Sequence, residues 1–246
     1  MEVSICKLPQ KKCTPNLHIS HKSRTFALLF KKSLVFKNNE HLCFAEQIHN
    51  IIEWYMQKTE LLIIFYLLQD KTRVCQTFRQ IATAVGVSIG SVHSTIARLT
   101  EQGYIVEQAN VRILRNRDAL IERWTWGYVE ILKPKLLLCR FAFLTPQLRN
   151  RWNTITLPPS FLWGGEPAVA LQDHYLQPAK WTIYTPAAAN LLITTGKMIP
   201  NPQGEISVYR QFWKQDEMPL LVIYADLLAT KDDRCIEAAQ HLKPLL

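Results

Sequence analysis

Residues 77–106 read TFRQIATAVGVSIGSVHSTIARLTEQGYIV, and the spacing of their apolar side chains predicts two amphipathic helices joined by a short turn. Thr77 can cap the first helix, and Gly86 follows it where a left-handed turn residue is favoured. Ser88 can cap the second helix. The residues predicted to be buried are Phe78, Ile81, Ala82 and Val85 in the first helix and Ile89, Val92, Ile96 and Leu99 in the second. This arrangement is typical of a helix-turn-helix.

The flanking sequence extends the motif to a winged helix-turn-helix. The apolar run Leu61–Leu68 predicts a core helix, because its eight residues are too few for the roughly 20 that a membrane span needs. Residues 104–108 and 111–115 can pair as a β-hairpin around Ala109-Asn110. Two helices, a turn, a third helix and a hairpin predict a DNA-binding domain over residues 44–116.

The second helix of the motif presents a face, opposite its predicted core, that is rich in hydroxyl groups. Such a face can lie close to the base edges of a major groove, while arginines around it contact phosphates. The predicted DNA-binding residues are Arg79, Ser88, Gly90, Ser91, His93, Ser94, Thr95, Arg98, Arg112, Arg115 and Arg117. The alternative is a helical bundle of the same plan that serves only protein contacts.

Arg98 is the only charged side chain on that predicted face. We therefore expect its guanidinium to contact either a guanine edge or a phosphate that lines the groove. The alternative is that Arg98 pairs with Glu101 or Gln102, one turn along the helix.

Charge is unevenly distributed along the chain. The 246 residues include 29 Lys+Arg and 20 Asp+Glu, a net charge of +9. Residues 1–150 hold 21 basic and 11 acidic side chains, whereas residues 151–246 hold eight and nine. We interpret residues 1–43 as a basic N-terminal extension. The asymmetry favours a basic part that faces double-stranded DNA and a neutral part with another role.

Residues 117–246 predict a linking helix followed by a small domain. The linking helix covers residues 117–132, with Asn116 as its N-cap and Pro134 ending it. Strands are predicted at residues 136–144, 181–184, 206–213 and 220–224, and helices are predicted to begin at Pro167, at Thr185 and at Asp232 or Asp233. The predicted fold class is α/β (α+β), a winged helix-turn-helix followed by a mixed α/β C-terminal domain.

An enzymatic site has weak support in the sequence. Gly164-Gly165 precedes a predicted helix, as phosphate-binding loops do, but Glu166 already occupies the position of the anion. Asp226 follows a predicted strand, yet no second carboxylate and lysine accompany it in the spacing of a metal nuclease. We therefore predict no catalytic residue and no cofactor. The alternative is a nuclease or nucleotide-transferring enzyme with its site near Glu166 and Asp226.

Cysteine usage favours reduced thiols, because the six cysteines include no C-x-x-C pair. One cluster resembles a metal site, and it comprises Cys6, Cys13, His18 and His21. Its intervals match no common zinc spacing, so we predict no metal site. The first 30 residues lack the apolar segment of a signal peptide. We therefore expect a cytoplasmic protein without a membrane-spanning segment.

Several short motifs together resemble one family. After the predicted hairpin the chain reads NRDALIERW (116–124), GYV (127–129) and LKPKLL (132–137). Further along it reads WGGEPA (163–168), YLQP (175–178), WTIY (181–184) and LVIYADLLAT (221–230). These motifs resemble AbiEi-type antitoxins, the transcriptional regulators of type IV toxin–antitoxin (abortive-infection) systems. The resemblance covers about residues 44–246 and leaves the basic extension outside it.

The resemblance implies a repressor that regulates its own operon by binding promoter repeats through the winged helix. A dimer on DNA is compatible with this interpretation. It also implies that the C-terminal domain neutralises a toxin of the nucleotidyltransferase type without forming a stable complex with it. A different interpretation of the same winged helix is a replication-initiator-like protein of a mobile element, which would bind tandem repeats at an origin.

Overall fold

The computed structural model describes residues 58–172 and 176–246. Its first part contains α1 (Lys58–Leu68), a 3₁₀ turn (Lys71–Cys75), α2 (Phe78–Val85), α3 (Ile89–Glu101), β1 (Ile105–Gln108) and β2 (Val111–Leu114). β1 and β2 pair as an antiparallel hairpin, so the predicted winged helix-turn-helix is confirmed. The predicted basic extension, its cluster of Cys6, Cys13, His18 and His21, and the start of the predicted DNA-binding domain up to residue 57 lie outside the described residues.

Local capping and turn residues explain this part of the fold. Thr77 caps α2 in a reciprocal capping box with Gln80, and Gly86 ends the helix with a φ of 77°. Ser88 caps α3 by accepting a hydrogen bond from the backbone N–H of Ser91. Ala109 and Asn110 both have positive φ, 48° and 62°, which suits the tight turn of a two-residue hairpin.

The linking helix is longer than predicted. It comprises α4 (Arg117–Gly127), a π-helical turn (Tyr128–Leu132) and α5 (Lys133–Leu136), so Pro134 does not end it. The wider hydrogen bonds of the π-helical turn interrupt the α-helical ladder, and Pro134 lies at the start of α5, where a missing N–H costs little. Asn116 precedes α4 but does not cap it, because its amide donates a hydrogen bond to the carbonyl of Gly103 instead.

The remainder of the chain forms a five-stranded mixed sheet with helices packed against it. Its elements are β3 (Leu137–Phe143), α6 (Pro146–Asn150), β4 (Leu162–Gly164), α7 (Gly165–Gln172), β5 (Trp181–Thr185), β6 (Met198–Pro200), β7 (Ile206–Arg210), α8 (Leu220–Leu228) and α9 (Asp233–Leu242), with 3₁₀ turns at Trp152–Thr154, Ala189–Thr195 and Lys243–Leu245. The strand order is β4-β5-β7-β3-β6, and of these pairs only β5–β7 is parallel. The predicted mixed C-terminal fold is therefore confirmed.

The strand predicted at residues 220–224 is wrong, because this segment begins α8. Residues 221–227 are all buried, so the helix is apolar on every side and its sequence shows no helical period. Other boundaries also shift: α7 begins at Gly165 rather than Pro167, β7 ends at Arg210 rather than 213, and the helix expected from Thr185 is a 3₁₀ turn.

The winged helix and the C-terminal part share one hydrophobic core. The same cluster of buried residues includes Ile64 of α1, Leu99 of α3 and Val222 of α8. The ring centroids of Phe65, in α1, and Phe212, in the C-terminal part, are 4.9 Å apart. The domain boundary predicted between residues 116 and 117 therefore falls inside a continuous core. A second core lies on the other face of the sheet, around Phe141. Among the described helices, none has both the length and the hydrophobicity to cross a bilayer.

Candidate nucleic-acid interface

The outward face of α3 is uncharged in its first two turns. Gly90 and His93 are exposed there, with Ser91 and Ser94 half-buried beside them. The hydroxyls of Ser88 and Ser91 share a hydrogen bond of 2.8 Å, and Ser94 Oγ donates to the Gly90 carbonyl at 2.9 Å. Short side chains held against the helix in this way do not protrude from its surface, so α3 can approach base edges closely.

A chain of contacts joins this face to the wing. His93 of α3 packs edge-on against Phe78 of α2, with ring centroids 5.5 Å apart. Phe78 also contacts Arg112 of the wing strand β2, whose guanidinium lies 4.5 Å from the centre of the ring. The same guanidinium donates a hydrogen bond to the carbonyl of Gln76. Arg112 therefore holds the wing against α2, and its guanidinium is already engaged within the protein.

The arginines predicted to contact phosphates differ in their availability. Arg79 and Arg115 are exposed, and their side chains make no hydrogen bond or ion pair with other residues that the structure describes. Arg117 is half-buried and donates to the carbonyl of Leu68 at 2.8 Å. Arg79, in α2, and Arg115, directly after β2, thus carry guanidinium groups that no described residue engages.

Two residues of α3 have the opposite burial to that predicted. Thr95 is only 2% exposed, so it cannot contact DNA. It lies about 40° from Leu99 around the helix, inside the buried arc, because four residues make slightly more than one turn. Ile89, for which the pattern predicts burial, is 47% exposed, although Val92 in the same turn of the helix is fully buried.

Arg98 faces α1 instead of the outward side of α3. Its guanidinium forms an ion pair with Glu60, whose other carboxylate oxygen lies 3.1 Å from Arg123 Nη2. Neither Glu101 nor Gln102 pairs with Arg98, so the alternative predicted for it is wrong. The DNA contact of Arg98 stays a prediction, and it would require the guanidinium to leave Glu60. Burial raises the pKa of Glu60, and the charges of Arg98 and Arg123 partly offset this rise. A sequence signal existed, since Glu60 is a lone carboxylate beside an apolar run.

The two carboxylates of the alternative enzymatic site are buried and occupied. Glu166 accepts a hydrogen bond of 2.7 Å from the backbone N–H of Ala179. Asp226 accepts hydrogen bonds from Tyr128 at 3.0 Å and from Tyr184 at 2.9 Å, and Lys133 Nζ lies 2.8 Å from it. Over residues 58–172 and 176–246, no three His, Cys, Asp or Glu side chains lie close enough together to hold a metal ion.

The cluster formed by Asp226, Tyr128, Tyr184 and Lys133, here called the Asp226 cluster, has shifted proton affinities. Burial raises the pKa of Tyr128 and Tyr184 well above its usual value, and the Asp226 carboxylate raises it further. Burial by itself lowers the pKa of Lys133, but the charge of Asp226, the neighbouring Tyr209 and the hydrogen bond to Asp226 together outweigh burial, so the pKa is raised. The folded protein therefore holds these three protons more tightly than the unfolded chain does.

We expect the Asp226 cluster to make the protein sensitive to alkali. A raised folded-state pKa contributes stability that is present below the unfolded value and is lost as the pH rises above it, here above about pH 10. Urea unfolding measured between about pH 8 and 12 should show a steep fall in this range. Tyr184→Phe should make the fall shallower, whereas Tyr104→Phe, outside the cluster, should not. An equal slope for both variants would contradict the assignment.

Two family models match the chain. The model described as a transcriptional regulator, the AbiEi antitoxin of a type IV toxin–antitoxin system, matches residues 112–245, which is more than half of the chain. The model of winged helix-turn-helix DNA-binding domains matches residues 56–106. Comparison with curated proteins and with solved structures gives no significant match. The first match runs from β2 to the last 3₁₀ turn, and the second covers the helices whose outward face is described above.

Proposed function

The chain belongs to the family of AbiEi antitoxins, transcriptional regulators of type IV toxin–antitoxin systems with a winged helix-turn-helix, and on this premise we propose that it represses its own operon by binding promoter repeats. The observation that carries the proposal is the uncharged outward face of α3, together with the unpaired exposed arginines Arg79 of α2 and Arg115 after β2. A low polar surface suits base edges, and flanking cations suit phosphates.

In the proposed complex the first two turns of α3 lie in the major groove. Ser88, Gly90, Ser91, His93 and Ser94 face the base edges there. Arg79 of α2 and Arg115, which follows the wing, contact phosphates of the DNA backbones on either side of the groove. Arg112 and Arg117 act indirectly, since their guanidinium groups already hold the wing and the start of α4.

The test compares a duplex from the promoter of the protein's own operon with a scrambled duplex of the same composition. Fluorescence anisotropy with the full chain at two salt concentrations should show tighter binding to the promoter duplex at both. The salt-dependent part of the affinity should be common to the two duplexes, because it comes from phosphate contacts. Equal affinity for both duplexes would contradict sequence-specific repression.

Arg79→Ala and Arg115→Ala should each weaken binding to both duplexes by a similar factor. Each substitution removes one phosphate contact, so the slope of log affinity against log salt should fall by about one unit. Arg151→Ala, which removes an exposed arginine of the C-terminal part, serves as the matched control and should leave the slope unchanged. Loss of affinity on the promoter duplex alone would instead assign the residue to base contacts.

We further propose that residues 117–246 antagonise a nucleotidyltransferase-type toxin without binding it stably, and that the chain itself catalyses no reaction. Family membership supports the antitoxin role, and the occupied, buried carboxylates Glu166 and Asp226 support the absence of catalysis. Co-expression with the product of the adjacent reading frame should relieve its toxicity, while co-purification should recover no complex. Continued growth arrest would contradict the antitoxin role.

A further inference from the structure

An exposed isoleucine lies at the end of α3 that is proposed to enter the groove. Ile89 is the first residue of the helix and is 47% exposed, whereas Val92, Ile96 and Leu99 of the same helix are at most 4% exposed. In a helix-turn-helix the N-terminal residues of the second helix meet the base edges. The one large apolar side chain that α3 exposes is therefore at the end of the helix that meets the bases in the proposed complex.

Gly90, next to Ile89, is not required by the fold of the chain itself. Its φ is not positive, and a Cβ built on it would meet only Ser88 Oγ, at 3.9 Å. Glycine destabilises a helix relative to alanine, so an unconstrained glycine in the first turn of α3 calls for another reason. One such reason is that the helix backbone approaches a partner surface so closely that no side chain fits between them.

The groups around Ile89 indicate that its partner on the DNA is apolar. The hydroxyls of Ser88 and Ser91 already share a hydrogen bond, and no charged side chain belongs to the first turn of α3. In the major groove, thymine presents a 5-methyl group that no other DNA base carries, and apolar side chains contact it. We infer that Ile89 recognises the 5-methyl group of a thymine and that Gly90 allows the approach, an inference that rests on the proposed DNA-binding function.

The test removes the methyl group without changing the hydrogen bonds of the base pair. The full chain first enriches duplexes from a random-sequence pool, and each thymine of the enriched duplex is then replaced singly by deoxyuridine. At one or more positions the wild-type protein should lose affinity roughly fourfold, the contribution of one buried methyl group. Ile89→Ala should bind the thymine duplex at least as weakly as this and should no longer distinguish thymine from uracil at that position.

Two further variants separate recognition from folding. Ile193→Ala removes an isoleucine of similar exposure, 48%, from a 3₁₀ turn outside the winged helix, and it should keep both the affinity and the methyl effect. Gly90→Ala should weaken binding to the thymine and uracil duplexes alike, while its melting temperature is equal to or above that of the wild type. Wild-type affinity of Gly90→Ala would overturn the role of Gly90.

The outcomes distinguish this inference from the function on which it rests. Enrichment of a duplex that shows no loss on any thymine replacement would overturn the role of Ile89 alone. The same conclusion follows if Ile89→Ala, folded as judged by its melting temperature, keeps the wild-type methyl effect. Failure of the full chain to enrich any sequence would overturn sequence-specific binding and, with it, the thymine contact.

Discussion

Ser91→Glu is expected to lower the affinity for promoter DNA by more than about 100-fold while the protein stays folded. Ser91 lies on the first turn of α3, where the proposed complex brings the helix against DNA. A carboxylate placed there lies in the groove between two negatively charged phosphate backbones. Like charges in an interface cost several kcal/mol, and each 1.4 kcal/mol is tenfold in affinity. Fluorescence anisotropy with the promoter duplex measures the loss.

The same substitution protects the fold, which makes the result interpretable. Ser88 caps α3, and glutamate three residues after a capping serine completes a capping box. The melting temperature of Ser91→Glu should therefore equal or exceed that of the wild type. Asn153→Glu, which adds the same charge to an exposed turn of the C-terminal part, should retain DNA binding. If Ser91→Glu binds the promoter duplex with wild-type affinity, the surface of α3 proposed to contact DNA is the wrong one.

Ser91→Glu also separates the two proposed activities. Deleting part of the chain cannot do this, because the winged helix and the C-terminal part share one core. A folded protein that no longer binds the promoter should still relieve the toxicity of the adjacent gene product. Loss of both activities in this variant would mean that neutralisation of the toxin acts through repression of its operon.

Asp226→Ala is expected to lower the free energy of unfolding by about 3–5 kcal/mol, the usual cost of removing one partner from a buried ion pair. Lys133 Nζ lies 2.8 Å from the Asp226 carboxylate, and only 15% of the Lys133 side chain is exposed. Without Asp226, the ammonium of Lys133 and the hydroxyl of Tyr184 lose their partner in a largely buried region. Urea unfolding at neutral pH measures the change.

Matched variants show whether the loss comes from the Asp226 cluster. Asp216→Ala removes an exposed aspartate of a loop and should change the free energy of unfolding by less than about 0.5 kcal/mol. Tyr184→Phe should cost less than Asp226→Ala, since it removes one hydrogen-bonding hydroxyl but leaves the ion pair with Lys133. A free energy of unfolding for Asp226→Ala within about 1 kcal/mol of the wild type would contradict a structural role for the cluster.

The Asp226 cluster also links the two parts of the chain, and we therefore expect them to unfold together. Tyr128 and Lys133 belong to the linking segment after α4, Tyr184 belongs to β5 and Asp226 to α8. Three distant segments of sequence therefore meet at one buried carboxylate. Destabilising changes in α8 should reach the DNA-binding activity through unfolding, although α8 is remote in sequence from α3.

The helix-turn-helix and its wing were determined by the sequence alone, because their signals are local. Thr77 and Ser88 cap helices through hydrogen bonds that span only three residues. Gly86 and the Ala109-Asn110 turn adopt conformations that depend on their immediate neighbours. The serines and Gly90 on the outward face at the start of α3 follow from the same local pattern, so this part of the candidate interface was predictable.

Tertiary structure alone decided which charged and apolar groups remain available to a partner. Arg98 forms an ion pair with Glu60, which lies 38 residues away along the chain, and Ile89 is exposed although Val92, in the same turn of α3, is buried. The sequence of α8 shows no helical spacing of apolar residues, because this helix is buried on every side. Periodicity reports which side of a helix is apolar, but burial and pairing depend on what the rest of the chain places opposite each residue.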